Sequence, residues 1–501
     1  TDEFAGKTFD FMLSNPPYGK SWGSELKYIK DGKDIIDPRF IVPLKDYWGI
    51  EAPADATPRS SDGQLLFLME MVNKIKTLKQ SPKGSRIASV HNGSSLFTGD
   101  AGGGESNIRR YIIENDLLEA IIQLPNNLFY NTGITTYIWL LSNNKAANRK
   151  GKVQLIDAGQ LFRKLRKNLG NKNCEFAPKH ITKIVNTYAN MQAIESTGEQ
   201  SIAAQIFDNT DFGYYKVTIE RPKRLKAQFT AERIETLRFD KALKEPMQWA
   251  FETYGEKVYA NIAEYKEEVE SWCEKNELNL TAANKKKLLK QDTWKKHLNL
   301  VTEATALMKA IGTEEYNDFN IFKVLVDKQL KTSKTKLGAS EKKAILNAIS
   351  WYSADAEKVI KSTVKLTGDK LTKLLTHLGC EEKELPNFGY YPLESVIARR
   401  EATKQSAAKG TYITYETESD LRDTENVPLK ENIQAYFLRE VKPHVEEAWI
   451  NLDATKIGYE ISFNKYFYQH KPLRKIEEVT ADIVDLEQKS DGLINEILLL
   501  S

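Results

Sequence analysis

The residues best suited to chemistry in this chain lie in the run Phe9-Asp10-Phe11-Met12-Leu13-Ser14-Asn15-Pro16-Pro17-Tyr18-Gly19. Phe9 to Leu13 is a short apolar stretch that stops at polar residues and two prolines, the pattern of a buried strand ending abruptly at a sheet edge. Ligands of open α/β sheets sit just beyond the carboxyl ends of strands. Pro16 and Pro17 donate no backbone hydrogen bond and fix φ, so the turn is stiff. A stiff turn holds the Asn15 amide and the turn's carbonyls in one geometry, and Tyr18 adds a flat ring at the same place. A fixed amide oxygen, a fixed carbonyl and an aromatic face are together suited to gripping the amino group of a planar base. The competing reading is a Pro-Pro turn that merely closes a strand.

Such a turn needs a sheet behind it. Asp62 is placed to cap a helix carrying Leu65, Leu68, Met69, Val72 and Ile75 at helical spacing. Arg86 to Val90, Leu117 to Leu124, Thr135 to Leu141 and Lys152 to Ile156 read as strands. A helix capped by Ser106 and carrying Ile108, Tyr111 and Ile112 lies between the first two. Strands alternating with helices indicate βαβ units and a mostly parallel sheet. Residues 20–60 read as a long loop over the active-site face. The glycine cluster Gly99 to Gly104 follows no apolar run and reads as a loop leading into a helix. From about 230 to 380 the chain is rich in Lys and Glu with apolar residues at helical intervals, a helical region appended to the sheet. Residues 400–426 read as an exposed linker around a Tyr412–Tyr415 strand. Near the end, Ile476, Val479, Ile483, Leu486, Leu493, Ile497 and Leu500 recur in steps of three and four, broken at Ser490. That narrow seam suits either the domain's own core or a helix of another chain.

Composition bounds the rest. A length of 501 residues leaves room for roughly three domains on the usual prior of ~150 residues each. A net charge of +3 excludes a globally basic nucleic-acid coat, so any DNA contact must be local or shared with a partner. Two basic runs could supply one: Arg163, Lys164, Arg166, Lys167 and Lys172, and Arg221, Lys223, Arg224 and Lys226. Three scattered cysteines, Cys174, Cys273 and Cys380, offer neither a disulfide framework nor zinc spacing, which suits a reducing cytoplasm. No apolar run approaches the ~18 residues of a membrane span, and no metal site is expected.

Asn15-Pro16-Pro17-Tyr18 after an apolar strand resembles the catalytic motif of amino-methyltransferases that use S-adenosylmethionine. Five further blocks narrow the resemblance: Ser94-Ser-Leu-Phe-Thr-Gly99, Glu105-Ser-Asn-Ile-Arg109, Leu124-Pro-Asn-Asn-Leu-Phe-Tyr-Asn-Thr-Gly-Ile134, Asp211-Phe-Gly-Tyr-Tyr-Lys-Val-Thr-Ile-Glu-Arg-Pro222 and Gly458-Tyr-Glu-Ile-Ser-Phe-Asn-Lys-Tyr-Phe-Tyr468. In this order they resemble the modification (M) subunit of type I restriction-modification systems. One departure is Val90-His91-Asn92-Gly93, where that family has Pro-His-Gly.

The resemblance implies an α/β, Rossmann-like methyltransferase sheet lacking its N-terminal strands and followed by a mainly helical C-terminal region. The domains expected are 1–225 catalytic, 226–400 helical, 401–430 linker and 431–501 a helical docking region. It also implies S-adenosylmethionine as cofactor, cytoplasmic location, and DNA, a specificity (S) subunit and a restriction (R) subunit as partners. Because the family's glycine-rich donor loop precedes this strand, it is expected upstream of Thr1, and the chain alone is expected to be inactive.

Asn15 Oδ1 and the Pro16 carbonyl would each accept one N–H of an adenine amino group. That would pull the nitrogen toward tetrahedral geometry and stabilise the charge that develops on it. Pro17 stiffens the turn, Asn15 also borders the cofactor, and Tyr18 stacks on the flipped base. Phe129 corresponds to the family's second aromatic wall. Cytosine C5 chemistry would need a thiolate following proline, and none of the cysteines follows one. An RNA or protein amino-methyltransferase and a catalytically silent scaffold remain the alternatives.

Overall fold

In the computed structural model, which describes residues 2–130, 132–196, 201–333, 337–397, 410–468 and 475–499, the short apolar runs become strands. They are β1 (Phe11–Ser14), β2 (Arg86–Asn92), β3 (Leu118–Gln123), β4 (Thr136–Ser142) and β5 (Lys152–Asp157). A hairpin of β6 (Arg163–Leu169) and β7 (Lys172–Glu175) follows, and then β8 (Ala203–Asp208). Six of them form one sheet in the order β1-β2-β4-β3-β5-β8. β1 is parallel to β2, and β3 to β5, whereas β4 is antiparallel to both its neighbours and β8 to β5. The sheet is therefore mixed, not mostly parallel as expected. A parallel return needs a crossover, usually helical, and the described residues of the loop from β3 to β4 form no helix, so β4 runs back against β3.

At the central strands β3, β4 and β5 both faces of the sheet are covered, which is why those strands read as nearly continuous apolar runs. Successive residues point to opposite faces. Ile121 and Leu155 join the cluster that includes Leu65, Leu68 and Met69 of α1 (Gln64–Asn73) and Ile108, Ile112 and Ile113 of α2 (Gly104–Glu114). Ile122 and Ile156 join a second cluster with Ile184 of α3 (Pro178–Ala189). Each such side chain contributes roughly 1.5–3 kcal/mol on burial. The α/β fold expected from the sequence is the fold observed.

Several local expectations are corrected. β1 is an edge strand with Met12 buried but Phe11 and Leu13 75% and 85% exposed, because none of the described residues covers that side. Residues 20–60 hold two antiparallel hairpins, Lys30–Asp31 with Asp34–Ile35 and Ile41–Lys45 with Glu51–Asp55. Their Phe40, Val42 and Leu44 are buried. Ser106 lies inside α2, where its hydroxyl accepts from the Tyr459 N–H at 3.0 Å. The helix begins instead at Gly104, where an added Cβ would sit 1.7 Å from the Thr57 carbonyl oxygen.

The chain divides into two compact units, one of residues 1–214, 428–430 and 456–501 and the other of 215–427 and 431–455. The second has a helical body with two apolar cores, one around Phe229, Leu300 and Phe322 and one around Leu243, Tyr259 and Trp294. The stretch expected to be a linker carries structure: Thr411–Tyr415 pairs with Ile360–Lys365 and with Tyr391–Pro392, burying Tyr412 and Ile413, and Asp423–Pro428 is a further strand. The expected helical docking region likewise includes the long strand Trp449–Tyr459. Its alternation of apolar and polar residues satisfies a strand's period as well as any helix's. The last helix, Ile476–Leu499, exposes Ile476, Ile483 and Leu486. Leu493, Ile497 and Leu500 of the seam lie outside the described side chains.

Candidate active site

The sheet topology brings four segments to one edge. Because β1, β2, β3 and β5 all run the same way, their carboxyl ends deliver Asn15–Tyr18, Asn92–Ser94, Pro125–Tyr130 and the segment after Asp157 to that edge. Pro16 is buried and anchors the Asn-Pro-Pro-Tyr turn, while Asn15 and Pro17 are exposed and Tyr18 is half-buried. The Tyr18 hydroxyl donates to Asn15 Oδ1 at 2.5 Å. The amide oxygen expected to grip a substrate amino group is thus already aligned, and held, by the neighbouring phenol. Burial holds that phenol above its ordinary value, so it remains a donor at neutral pH.

A polar cluster behind the turn escaped the sequence reading. Asp62 Oδ1 accepts from the Gly19 N–H, directly after Tyr18, at 3.3 Å. Asp62 Oδ2 accepts from Gln64 Nε2 at 2.7 Å, and the same amide group donates to Asn92 Oδ1 at 2.6 Å. The Ser94 hydroxyl lies 2.9 Å from Asp62 Oδ2 and 2.5 Å from Asn92 Oδ1. Gln64 Oε1 in turn accepts from the Asn92 N–H at 3.0 Å and lies 3.3 Å from His91 Nδ1. Burial drives the His91 imidazole down to about 3, so the cluster carries no titrating cation at working pH. The N-cap position of α1 is Gly63, and Asp62 just before it accepts from the Gln64 N–H at 3.4 Å; Asp62 also ties the end of β2 to the Asn-Pro-Pro-Tyr turn. Backbone pairing extends the tie: Trp22 N–H donates to Ser60 O at 2.9 Å and Gly63 N–H to Lys20 O at 3.0 Å. A Val-His-Asn-Gly sequence in place of Pro-His-Gly offered one signal, since its Asn92 side chain is part of the cluster.

Phe129 sits half-buried at the end of β3 against the cluster of Ile122, Leu124 and Leu128. Three strand spacings, roughly 14 Å, separate β1 from β3, and no ring contact joins Phe129 to Tyr18 among the described residues. Tyr130, 64% exposed, is the more accessible ring of that loop.

The residues present fit the acceptor half of a methyl-transfer site: an exposed carboxamide, a buried proline and an aromatic ring at the sheet's carboxyl edge. Among the described residues no glycine cradle for a donor lies at this edge. The Gly99–Gly104 loop is closed by Thr57, Glu105 and Lys456 packed against its glycines.

Residues 1–228 match the family model N-6 DNA Methylase. This stretch, with its sheet and its Asn-Pro-Pro-Tyr turn, is similar to N-6 DNA methylases. The resemblance to M subunits of type I restriction-modification systems holds as well. The chain is 28% identical over 187 residues to the methylase subunit of type I restriction enzyme MjaIX from Methanocaldococcus jannaschii, covering 37% of this chain and 29% of that protein. It is 34% identical over 157 residues to the HindI methylase subunit of Haemophilus influenzae, covering 31% and 28%. The matches thus span less than a third of these relatives' length. A solved type I methyltransferase subunit from Streptococcus thermophilus aligns over 42% of this chain and 36% of its own, at 28% identity and a TM-score of 0.31.

Proposed function

We propose that this chain is the modification subunit of a type I restriction-modification complex and methylates the N6 amino group of a flipped adenine in DNA. The observation that carries the reading is the exposed Asn15 carboxamide, pre-aligned at the carboxyl edge inside the segment that matches the DNA methylase family. An adenine amino nitrogen is a weak nucleophile because its lone pair is delocalised into the ring. The Asn15 oxygen and the Pro16 carbonyl each accept one of its N–H groups, localising the lone pair and stabilising the charge that appears as the bond forms. Tyr18 lies against one face of the base, and Phe129 is assigned the other. S-adenosylmethionine, when bound, supplies the electrophilic methyl. Asn15 releases the Tyr18 hydroxyl as it takes up the substrate N–H, so the empty site never leaves its acceptor unmatched.

The partners follow the same reading. The terminal helix, with Ile476, Ile483 and Leu486 exposed, docks on helices of the S subunit, which chooses the DNA sequence, and the R subunit joins that assembly. Among the described residues no helix is long and apolar enough to cross a membrane, and a cytoplasmic location is proposed. The test is nucleoside analysis of duplex DNA incubated with the assembled complex and S-adenosylmethionine. N6-methyladenine is expected; methyl groups found instead on RNA guanine or on a protein glutamine would move the chain to another branch of amino-methyltransferases.

A further inference from the structure

Two basic runs stand out in the sequence, and in the second of them two cations, Arg224 and Lys226, are held in ion pairs. Arg224 is ion-paired with Glu447, and Lys226 lies 3.0 Å from Glu315 and 3.1 Å from Asp355. Those cations are matched within their own unit. The other run forms the hairpin β6–β7. Lys164, Arg166 and Lys167 are exposed and have no ion-pair partner among the described residues, and only Arg163 is matched, to Glu175 at 2.7 Å. Unmatched cations on an exposed two-stranded ribbon contribute little to its own stability.

The hairpin's position is specific. It leaves the sheet from the carboxyl end of β5, the edge that carries Asn15 and Tyr18. It is also fastened to the loop that bears Phe129. Asn173 N–H donates to Asn127 O at 3.1 Å, Asn127 Nδ2 to Asn171 O at 2.9 Å and Lys172 Nζ to Leu128 O at 2.7 Å. The Cys174 thiol lies 3.2 Å from Asn126 O. The positive field continues onto α3, where Lys179 and Lys183 are exposed. The buried His180 imidazole is held below its ordinary value, first by burial and then by Lys179, Arg163 and Lys183. Four strand spacings, roughly 19 Å, separate β1 from β5, a span that one duplex covers in about six base pairs at 3.4 Å each.

We infer that the β6–β7 hairpin is a DNA-backbone clamp: Lys164, Arg166 and Lys167 contact the phosphates of the duplex that presents its base to Asn15, and the ties to residues 126–128 couple that contact to the Phe129 loop. The inference rests on the DNA-methylase reading and names which basic residues carry duplex binding. Phosphate contacts made by Lys and Arg release counterions, so they are read from the salt dependence of affinity.

The experiment compares the full chain with the variant Lys164→Gln/Arg166→Gln/Lys167→Gln. A control variant, Lys285→Gln/Lys286→Gln/Lys296→Gln, removes the same charge from exposed positions elsewhere. Anisotropy of a labelled duplex of about 30 base pairs is followed between about 50 and 200 mM salt. The hairpin variant is expected to lose at least about tenfold in affinity at the lowest salt. Its log-log salt slope should flatten by roughly 2 to 3, about 0.9 for each phosphate contact removed, while the control keeps the wild-type slope. An unchanged slope in the hairpin variant, or an equal loss in the control, overturns the clamp and leaves the methylase reading standing. A wild-type chain that binds no duplex at the lowest salt overturns the clamp, and one that prefers single-stranded RNA overturns both.

Discussion

At the scale of single residues the site rests on one oxygen and its keeper. Asn15 Oδ1 accepts from the Tyr18 hydroxyl, so Tyr18 has two separable parts, a ring for stacking and a hydroxyl for alignment. Tyr18→Phe keeps the ring and removes a hydrogen bond worth about 0.5–1.5 kcal/mol. The methyl-transfer rate should fall by no more than roughly tenfold, with base capture unchanged. Tyr18→Ala removes the stacking face as well, worth about 1–3 kcal/mol per base, and should weaken capture of the flipped adenine. Fluorescence of 2-aminopurine at the target position separates the two effects from single-turnover rates. A Phe variant as poor in base capture as the Ala variant would show that the hydroxyl, not the ring, holds the base. A Phe variant indistinguishable from wild type would leave the alignment without a role.

At the scale of elements, the site is made by strand ends meeting at one edge and by the loops tied across them. Asp62 links the segment before α1 to the residue after Tyr18, and through Gln64 and Ser94 to the end of β2. Asp62→Ala leaves the Gly19 N–H and the Gln64 amide short of an acceptor, a loss of about 1–3 kcal/mol in a buried setting. In the assembled enzyme, kcat is expected to drop roughly tenfold with little change in KM for DNA, and Asp62→Asn should recover part of it by keeping the oxygen that faces Gly19. A change in KM alone, with kcat intact, would mean that Asp62 does not position the turn. Much of this architecture was legible in the sequence, because apolar runs bounded by turn residues locate strands well. The Asn-Pro-Pro-Tyr turn was legible because two prolines and an asparagine after such a run leave few other conformations. The antiparallel insertion of β4 was not, since strand order depends on contacts distant in sequence. Nor was the Asp62 cluster: an aspartate before a helix looks like an ordinary cap until the fold shows which N–H it meets. The strand at Thr411–Tyr415 was seen but placed in a linker, because its partners Ile360–Lys365 and Tyr391–Pro392 lie far along the chain.

At the scale of the whole molecule, the proposed function gives the sheet, the helical body and the terminal helix different roles. The exposed apolar residues of Ile476–Leu499 have no part in the sheet's own cores. Deleting residues 476–501 should abolish co-purification with the S subunit while leaving the thermal transition of the sheet domain unchanged; normal yield of the shortened complex would remove the docking role. The central claim, that Asn15 grips an amino group as charge develops on it, is tested most directly by single-turnover methylation of duplex DNA by the assembled complex carrying Asn15→Ala. A lost preorganised contact of this kind costs about 3–4 kcal/mol. The predicted result is a rate of N6-methyladenine formation reduced roughly a hundred- to a thousand-fold, with duplex affinity within about twofold of wild type. A variant that methylates at near-normal rate would contradict the account, reducing the turn to a strand closure and taking the catalytic reading with it.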